Sequence, residues 1–229
     1  MQLKKDVSAI FSHQSLIFIV ATQLCLTLAA ATVGYAVLKI GPTIQSGATL
    51  IFPLTYVISD ITTEVYGYKI ARRVIWMTLL FELIFATLVT GVISLPHVSE
   101  EAFHVNNTAL GGLFRFVASG FCAAIISDFI NIYLVSKWKI LVKGKYFCIR
   151  SVTSTAIAVF IMVIIVIGVA FYGKMPLNEL IRLMASAYSF ELMYAIIFSY
   201  PARLIAEFIK QKESIDVYDI GINFNPFVF

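Results

Sequence analysis

The chain has 229 residues and a mass of 25.5 kDa; 60% of its residues are apolar, 13% are charged, and the mean hydropathy is +0.90. A water-soluble domain of this size leaves about a third of its unfolded surface exposed, so this much apolar surface excludes water as the main solvent and points to lipid. The net charge of +4 does not mark a nucleic-acid binder, because the basic residues sit between apolar runs and form no stripe beside polar, aromatic-rich elements.

A helix crossing roughly 30 Å of hydrocarbon needs about 20 mainly apolar residues. In chain order the runs that meet this length are 16–38, 50–66, 74–95, 113–136, 152–172 and 185–209. They predict an all-α membrane protein with six transmembrane helices, arranged as a single polytopic domain over 1–229 with short cytoplasmic tails. The first run is too long for the apolar core of a signal peptide and lacks a clean small-residue cleavage site, so it is expected to stay in the mature protein. No connection is long enough for a separate domain, and no repeat of 20–50 residues is visible.

Orientation follows from lysine and arginine, which are retained on the cytoplasmic side. With the N-terminus inside, Lys4, Lys5, Lys69, Arg72, Arg73, Lys137, Lys139, Lys143, Lys145, Arg150, Arg203, Lys210 and Lys212 are cytoplasmic, against Lys39, Arg115, Lys174 and Arg182 outside. That asymmetry predicts that both termini face the cytoplasm; the membrane is expected to be a bacterial inner membrane. The longest external connection, 96–112, carries His97, Glu100, Glu101 and His104 and reads as a solvated polar loop rather than a metal site. Cys25, Cys122 and Cys148 lack paired ligand spacing and read as reduced thiols without a redox role.

Ionisable side chains inside a membrane helix are expensive and turn toward protein or water. Five carboxylates fall within the runs: Asp60, Glu64, Glu82, Asp128 and Glu191. In the second run Tyr56, Asp60 and Glu64 are spaced by four, which places them on one helical face beside Ser59 and Thr63, with Pro53 a turn above. Such a stripe suits a ligand wall, although Asp60 and Glu64 can also pair with Lys69, Arg72 and Arg73. In the fourth run Arg115, Ser119 and Cys122 share a face, with Arg115 able to snorkel outward, while Asp128 and Asn131 form a second polar patch. The sixth run contributes Glu191 and Tyr194, three apart, above a kinking Pro201. Glu82 stands alone and suits a bond to a neighbouring helix as well as it suits a ligand. The candidate substrate-binding set is Tyr56, Asp60, Glu64, Arg115, Ser119, Asp128, Asn131, Glu191 and Tyr194. With no HExxH, GxSxG or clustered histidines, no catalytic role, metal or cofactor is expected.

The segments Pro53-Leu54-Thr55-Tyr56-Val57-Ile58-Ser59-Asp60, Glu64-Val65-Tyr66-Gly67 and Ala71-Arg72-Arg73-Val74-Ile75 resemble the queuosine precursor transporters, also called vitamin-uptake-like transporters. The resemblance continues in Arg115-Phe116-Val117-Ala118-Ser119, in Ser127-Asp128 with Asn131, in Ser154-Thr155, and in the tail Asp216-Val217-Tyr218-Asp219 and Asn223-Phe224-Asn225-Pro226-Phe227. It implies a fold similar to the substrate-binding subunits of energy-coupling-factor vitamin importers. It also implies import of a 7-deazaguanine-like base, 7-cyano- or 7-aminomethyl-7-deazaguanine, with Asp60 or Asp128 accepting from the guanine-like edge and Glu64 or Glu191 meeting a cationic substituent. An alternative is a binding subunit for another vitamin-like solute that needs an ATPase module; partners of that kind, or a homo-oligomer, stay open. The chain departs from the family where a glycine, an amide and an aspartate usually follow Ser-Thr, reading Ala156-Ile157-Ala158, and where a lysine usually stands ten residues before the proline of the sixth helix, reading Glu191.

Overall fold

The computed structural model describes residues 14–228. Helix α1 (Gln14–Thr32) leads into an antiparallel hairpin of β1 (Val37–Ile40) and β2 (Thr43–Ser46), in which Val37 pairs with Ser46 and Ile40 with Thr43. A single turn, α2 (Ala48–Ile51), precedes the long α3 (Pro53–Ile93). Then follow α4 (Glu100–Leu110), α5 (Leu113–Leu141), α6 (Phe147–Phe171) and α7 (Leu177–Glu213). Lys4 and Lys5, counted with the N-terminal tail, lie outside the described residues.

Among the described residues, five helical segments are long and apolar enough to cross a membrane: Gln14–Thr32, Ala48–Ile93, Glu100–Leu141, Phe147–Phe171 and Leu177–Glu213. The runs expected at 50–66 and 74–95 are thus joined in one segment, and α3 breaks within it at Gly67, whose φ of 77° and ψ of 175° are not helical. The break reverses the chain. Phe52 and Leu79 are 27 positions apart, about 40 Å along a straight helix, yet both line the same cavity.

The reversal leaves unpaired peptide groups on both sides of Gly67, and distant residues satisfy them. Lys139 donates to the carbonyl of Glu64 (2.6 Å), the Val217 amide donates to the carbonyl of Val65 (3.2 Å), and the Tyr68 amide donates to the Asp219 carboxylate (2.8 Å). A β-carbon at position 67 would lie 2.7 Å from both Asp219 Oδ1 and Val217 Cγ1, so glycine is required by space as well as by dihedral angle. Beyond the turn, Tyr68, Arg72 and Trp76 follow one another at helical spacing and donate to the successive carbonyls of Phe224, Asn225 and Pro226, fastening the C-terminal segment along α3.

The exterior is apolar: Phe18, Leu80, Leu88, Phe160, Ile181, Ile196 and Phe208 are all exposed. The interior holds small residues at helix contacts, among them Ala30, Ala123, Ala158, Ala170, Ala187 and Ala202. In lipid, where apolar side chains gain nothing by leaving the solvent, this close backbone approach is what holds helices together. The protein is a multi-pass membrane protein. Two features went unseen in the sequence. The first apolar run was expected to continue as helix to residue 38, but the chain leaves the helix at Thr32 and enters the β-hairpin. The polar connection 96–112 contains α4, started by a Ser99 side chain that accepts from the Ala102 amide (3.2 Å), with Glu100 and Glu101 in the favourable first turn.

Candidate functional site

A cavity with about 850 Å³ of unfilled space, open solvent at its edge included, lies between the helices at the β-hairpin end. Gln23 and Thr27 of α1, Ser46 of β2, Thr49 of α2, and Thr55, Thr78 and Glu82 of α3 supply polar groups to its wall. Asp128 of α5 and Glu191 of α7 add two more carboxylates, while Phe52, Phe116, Met162 and Val163 make the apolar part. Among the described residues, no lysine, arginine or histidine lines the cavity.

Several buried polar atoms here have no partner among the described residues. Glu191 is 5% exposed and its Oε2 makes no hydrogen bond; Gln23 is 8% exposed and its Oε1 makes none either. Beside the cavity, the buried Tyr56 hydroxyl lacks a hydrogen bond of good geometry, although Ser127, Asp128 and Glu191 all lie within its electrostatic reach. Its ring packs edge-on against Phe52 at 5.6 Å. Buried polar groups are normally satisfied, so two orphaned acceptors on residues that line one hollow make it the candidate binding site.

At the opposite, Gly67 end the buried carboxylate Glu64 is met by cations on both of its oxygens. Glu64 takes Arg150 on Oε2 (3.0 Å) and Lys210 on Oε1 (2.6 Å), with Lys139 3.9 Å from Oε1. Lys139 and Lys210 also share Asp216 Oδ1, at 2.6 and 2.8 Å. Burial pushes the Asp216 carboxyl upward, but hydrogen bonds and charge from Lys139 and Lys210 outweigh it and hold the group below the ordinary carboxylate value. Arg150 further donates to the carbonyls of Lys145 (3.0 Å) and Val135 (3.1 Å). The cluster ties α3, α5, α6, α7 and the C-terminal segment together.

The structure divides the sequence-derived candidates between these two places and others. Asp128 and Glu191 line the cavity, and Tyr56 stands next to it. Asp60 faces inward as the stripe predicted, but its Oδ1 accepts from Asn131 (2.6 Å) and its Oδ2 from Ser151 and Thr155, so both oxygens are taken by the protein, and neither Asp60 nor Asn131 lines the cavity. Glu64 is the centre of the ion cluster, paired with Arg150, Lys139 and Lys210 rather than with Lys69, Arg72 or Arg73. Arg115 is exposed and donates to the carbonyls of Val169 and Tyr172, capping the end of α6. The Ser119 hydroxyl donates back to the carbonyl of Phe116 (2.6 Å). Tyr194 is part of an aromatic ladder with Phe190 and Phe198, at 5.3 and 5.5 Å, away from the cavity wall.

Glu82 joins the cavity although its sequence neighbourhood is plain, and Gln23, Thr27, Thr49 and Thr78 were not singled out at all. A signal existed: Gln23 with Thr27, and Thr78 with Glu82, are polar pairs four residues apart inside apolar runs.

Residues 46–205, 160 of the 229, match the sequence model of a family described as "Putative vitamin uptake transporter". The chain belongs to this family. The matched stretch runs from the last residue of β2 into the second half of α7, and so includes Glu82, Asp128 and Glu191 as well as Glu64, Lys139 and Arg150. No curated protein and no solved structure matched the chain.

Proposed function

We infer that this protein imports a small, planar, donor-rich heterocycle, and that the solute is a 7-deazaguanine precursor of queuosine. The observation that carries this reading is the cavity in which Glu82, Asp128 and an unpartnered Glu191 meet no cation. A guanine-like edge presents a ring N–H and an exocyclic amine side by side, a pattern that one carboxylate accepts in a bidentate pair. Asp128 or Glu191 takes that part, in place of Asp60, whose oxygens are occupied. Phe52 and Phe116 offer rings on which the base stacks. A 7-aminomethyl group is cationic and finds the remaining acid, so the aminomethyl compound is preferred over its neutral 7-cyano analogue.

In this reading the chain crosses the membrane six times, with the two legs of α3 on either side of Gly67 counted separately, as in the binding subunits of energy-coupling-factor importers. Lys69, Arg72, Arg73 and the basic 137–145 connection put the Gly67 end in the cytoplasm of an inner membrane and the β-hairpin end outside. Cysteine labelling at positions 101 and 143 from outside tests that orientation, with only the first expected to react. Binding of the two 7-deazaguanines to purified protein, and uptake by cells expressing the chain alone, test the solute. Tighter binding of the aminomethyl compound together with uptake supports the reading; uptake only in the presence of an ATPase module transfers the chain to the energised alternative, and absence of binding removes these bases as solutes.

A further inference from the structure

We propose that the cavity is also a proton-binding site centred on Glu191, whose protonation from the outer side is coupled to solute movement. This deepens the importer reading by naming what drives the solute. The first observation is charge without compensation. Glu82, Asp128 and Glu191 line one hollow inside an apolar bundle, and Asp128 lies within electrostatic reach of Glu82 as well as of Tyr56, which Glu191 also reaches. An ionised carboxylate in such surroundings is costly, and several around one cavity repel each other. The second, independent observation is the orphaned geometry: Glu191 Oε2 and Gln23 Oε1, both on residues that line the hollow, are buried and lack hydrogen-bond partners among the described residues.

The groups that face Glu191 offer no permanent counter-charge. From α3 come Glu82 and Tyr56; from α5, Asp128; from α6, the apolar Met162, Val163 and Ile167; from β2 and α2, Ser46 and Thr49; from α1, Gln23 and Thr27. Asp60 is turned to Asn131, Ser151 and Thr155; Arg115, next in sequence to the lining residue Phe116, donates to the carbonyls of Val169 and Tyr172; and Arg150, Lys139 and Lys210 are bound to Glu64 and Asp216 at the other end. A proton is the smallest cation that neutralises Glu191, and its gain or loss changes how well the cavity closes on a donor-rich solute. Protonated Glu191 presents its O–H to an acceptor on the solute, such as the carbonyl of a guanine-like base, while Asp128 and Glu82 on the same wall accept from the solute's N–H or cationic groups, so that proton and solute occupy the cavity together. No bond other than O–H forms or breaks, and the proton is released on the inner side when the solute leaves.

The test has two readouts, one of which needs no solute. Infrared spectra of the protein in lipid, titrated between about pH 5 and 9, should show a protonated-carboxyl band that is missing in Glu191→Gln and kept in Glu191→Asp, with thermal melting reporting that both variants are folded. Identical band intensity in wild type and Glu191→Gln across that range overturns the proposal. In proteoliposomes, labelled 7-aminomethyl-7-deazaguanine should accumulate about tenfold per unit of inward pH gradient if one proton moves per solute at clamped potential, and a protonophore should abolish the accumulation. Drive by a sodium gradient instead, or exchange indifferent to either gradient, overturns the coupling. Absence of any exchange with the Glu191 band intact removes the 7-deazaguanine reading and upholds the proton site.

Discussion

Buried carboxylates occur at both ends of this bundle in opposite company. At the Gly67 end Glu64 meets Arg150, Lys210 and Lys139, and every oxygen is committed. In the cavity Glu191 keeps a buried oxygen without a hydrogen-bond partner, and no basic side chain lines the wall beside Glu82 or Asp128, among the described residues. Residue type and burial are shared by the two regions, so neither property separates an acid that holds the fold from one that meets a ligand. What separates them is whether the protein itself completes the hydrogen-bonding and charge of the group.

The comparison breaks most sharply at Glu64. Replacing it by glutamine leaves Arg150 a buried cation without its carboxylate and the two lysines with Asp216 alone, and removing one partner of a buried ion cluster costs about 3–5 kcal/mol. Thermal melting in detergent should show a large loss, while the surviving folded fraction binds solute as the wild type does. Asp60→Asn comes next. The amide turns a donor toward hydroxyls or an amide that already donate, and losing one charge-assisted bond costs about 1.5–3 kcal/mol. Its effect should again fall on melting temperature rather than on affinity, and weakened binding with unchanged melting would return Asp60 to the site.

Gly67→Ala sharpens the same contrast through the backbone. Its φ of 77° with ψ of 175° lies in a region that only glycine occupies comfortably, and the strain of about 1–3 kcal/mol adds to the 2.7 Å contact with Asp219. Amide exchange at Tyr68 and in residues 214–228 should rise in this variant more than exchange around the cavity. The smallest effect is one of pH. Because the Asp216 carboxyl is held below its ordinary value by Lys139 and Lys210, its contribution is complete above about pH 4 and drains away as the pH falls through the lower folded-state value. Proteolysis of the C-terminal segment should therefore quicken only in acid, and Asp216→Asn should remove that acid dependence.

Much of this architecture was legible in the sequence, for reasons that also mark where legibility stopped. Length and hydropathy located every long helix, since the lipid interior demands uninterrupted apolar stretches. They did not reveal the β-hairpin, because Val37 and Leu38 extend an apolar run whether the backbone is helical or extended. Nor did they reveal α4, whose Ser99 cap and acidic first turn were visible but sat in a polar connection. Spacing by four correctly turned Tyr56, Asp60 and Glu64 inward. Spacing along one helix carries no information about what comes from the others, and so it could not assign Asn131, Ser151 and Thr155 to Asp60 or Arg150 to Glu64. Glu82 illustrates the converse. Its flanks are apolar and unremarked, and only the reversal at Gly67 brings it to the wall that Glu191 also lines.

The most direct measurement is a paired one: melting temperature and solute affinity for Glu64→Gln and Glu191→Gln side by side, with 7-aminomethyl-7-deazaguanine as the probe. Replacing the Glu191 carboxyl should leave melting unchanged or raised, because no described group loses a hydrogen-bond partner, and should weaken binding by about twofold to tenfold through one lost hydrogen bond to the probe. Glu64→Gln should do the reverse, lowering the melting temperature and sparing affinity. A Glu191→Gln protein that melts early and binds the probe as tightly as the wild type would contradict the division of the bundle into a paired, structural end and an unpaired, binding one.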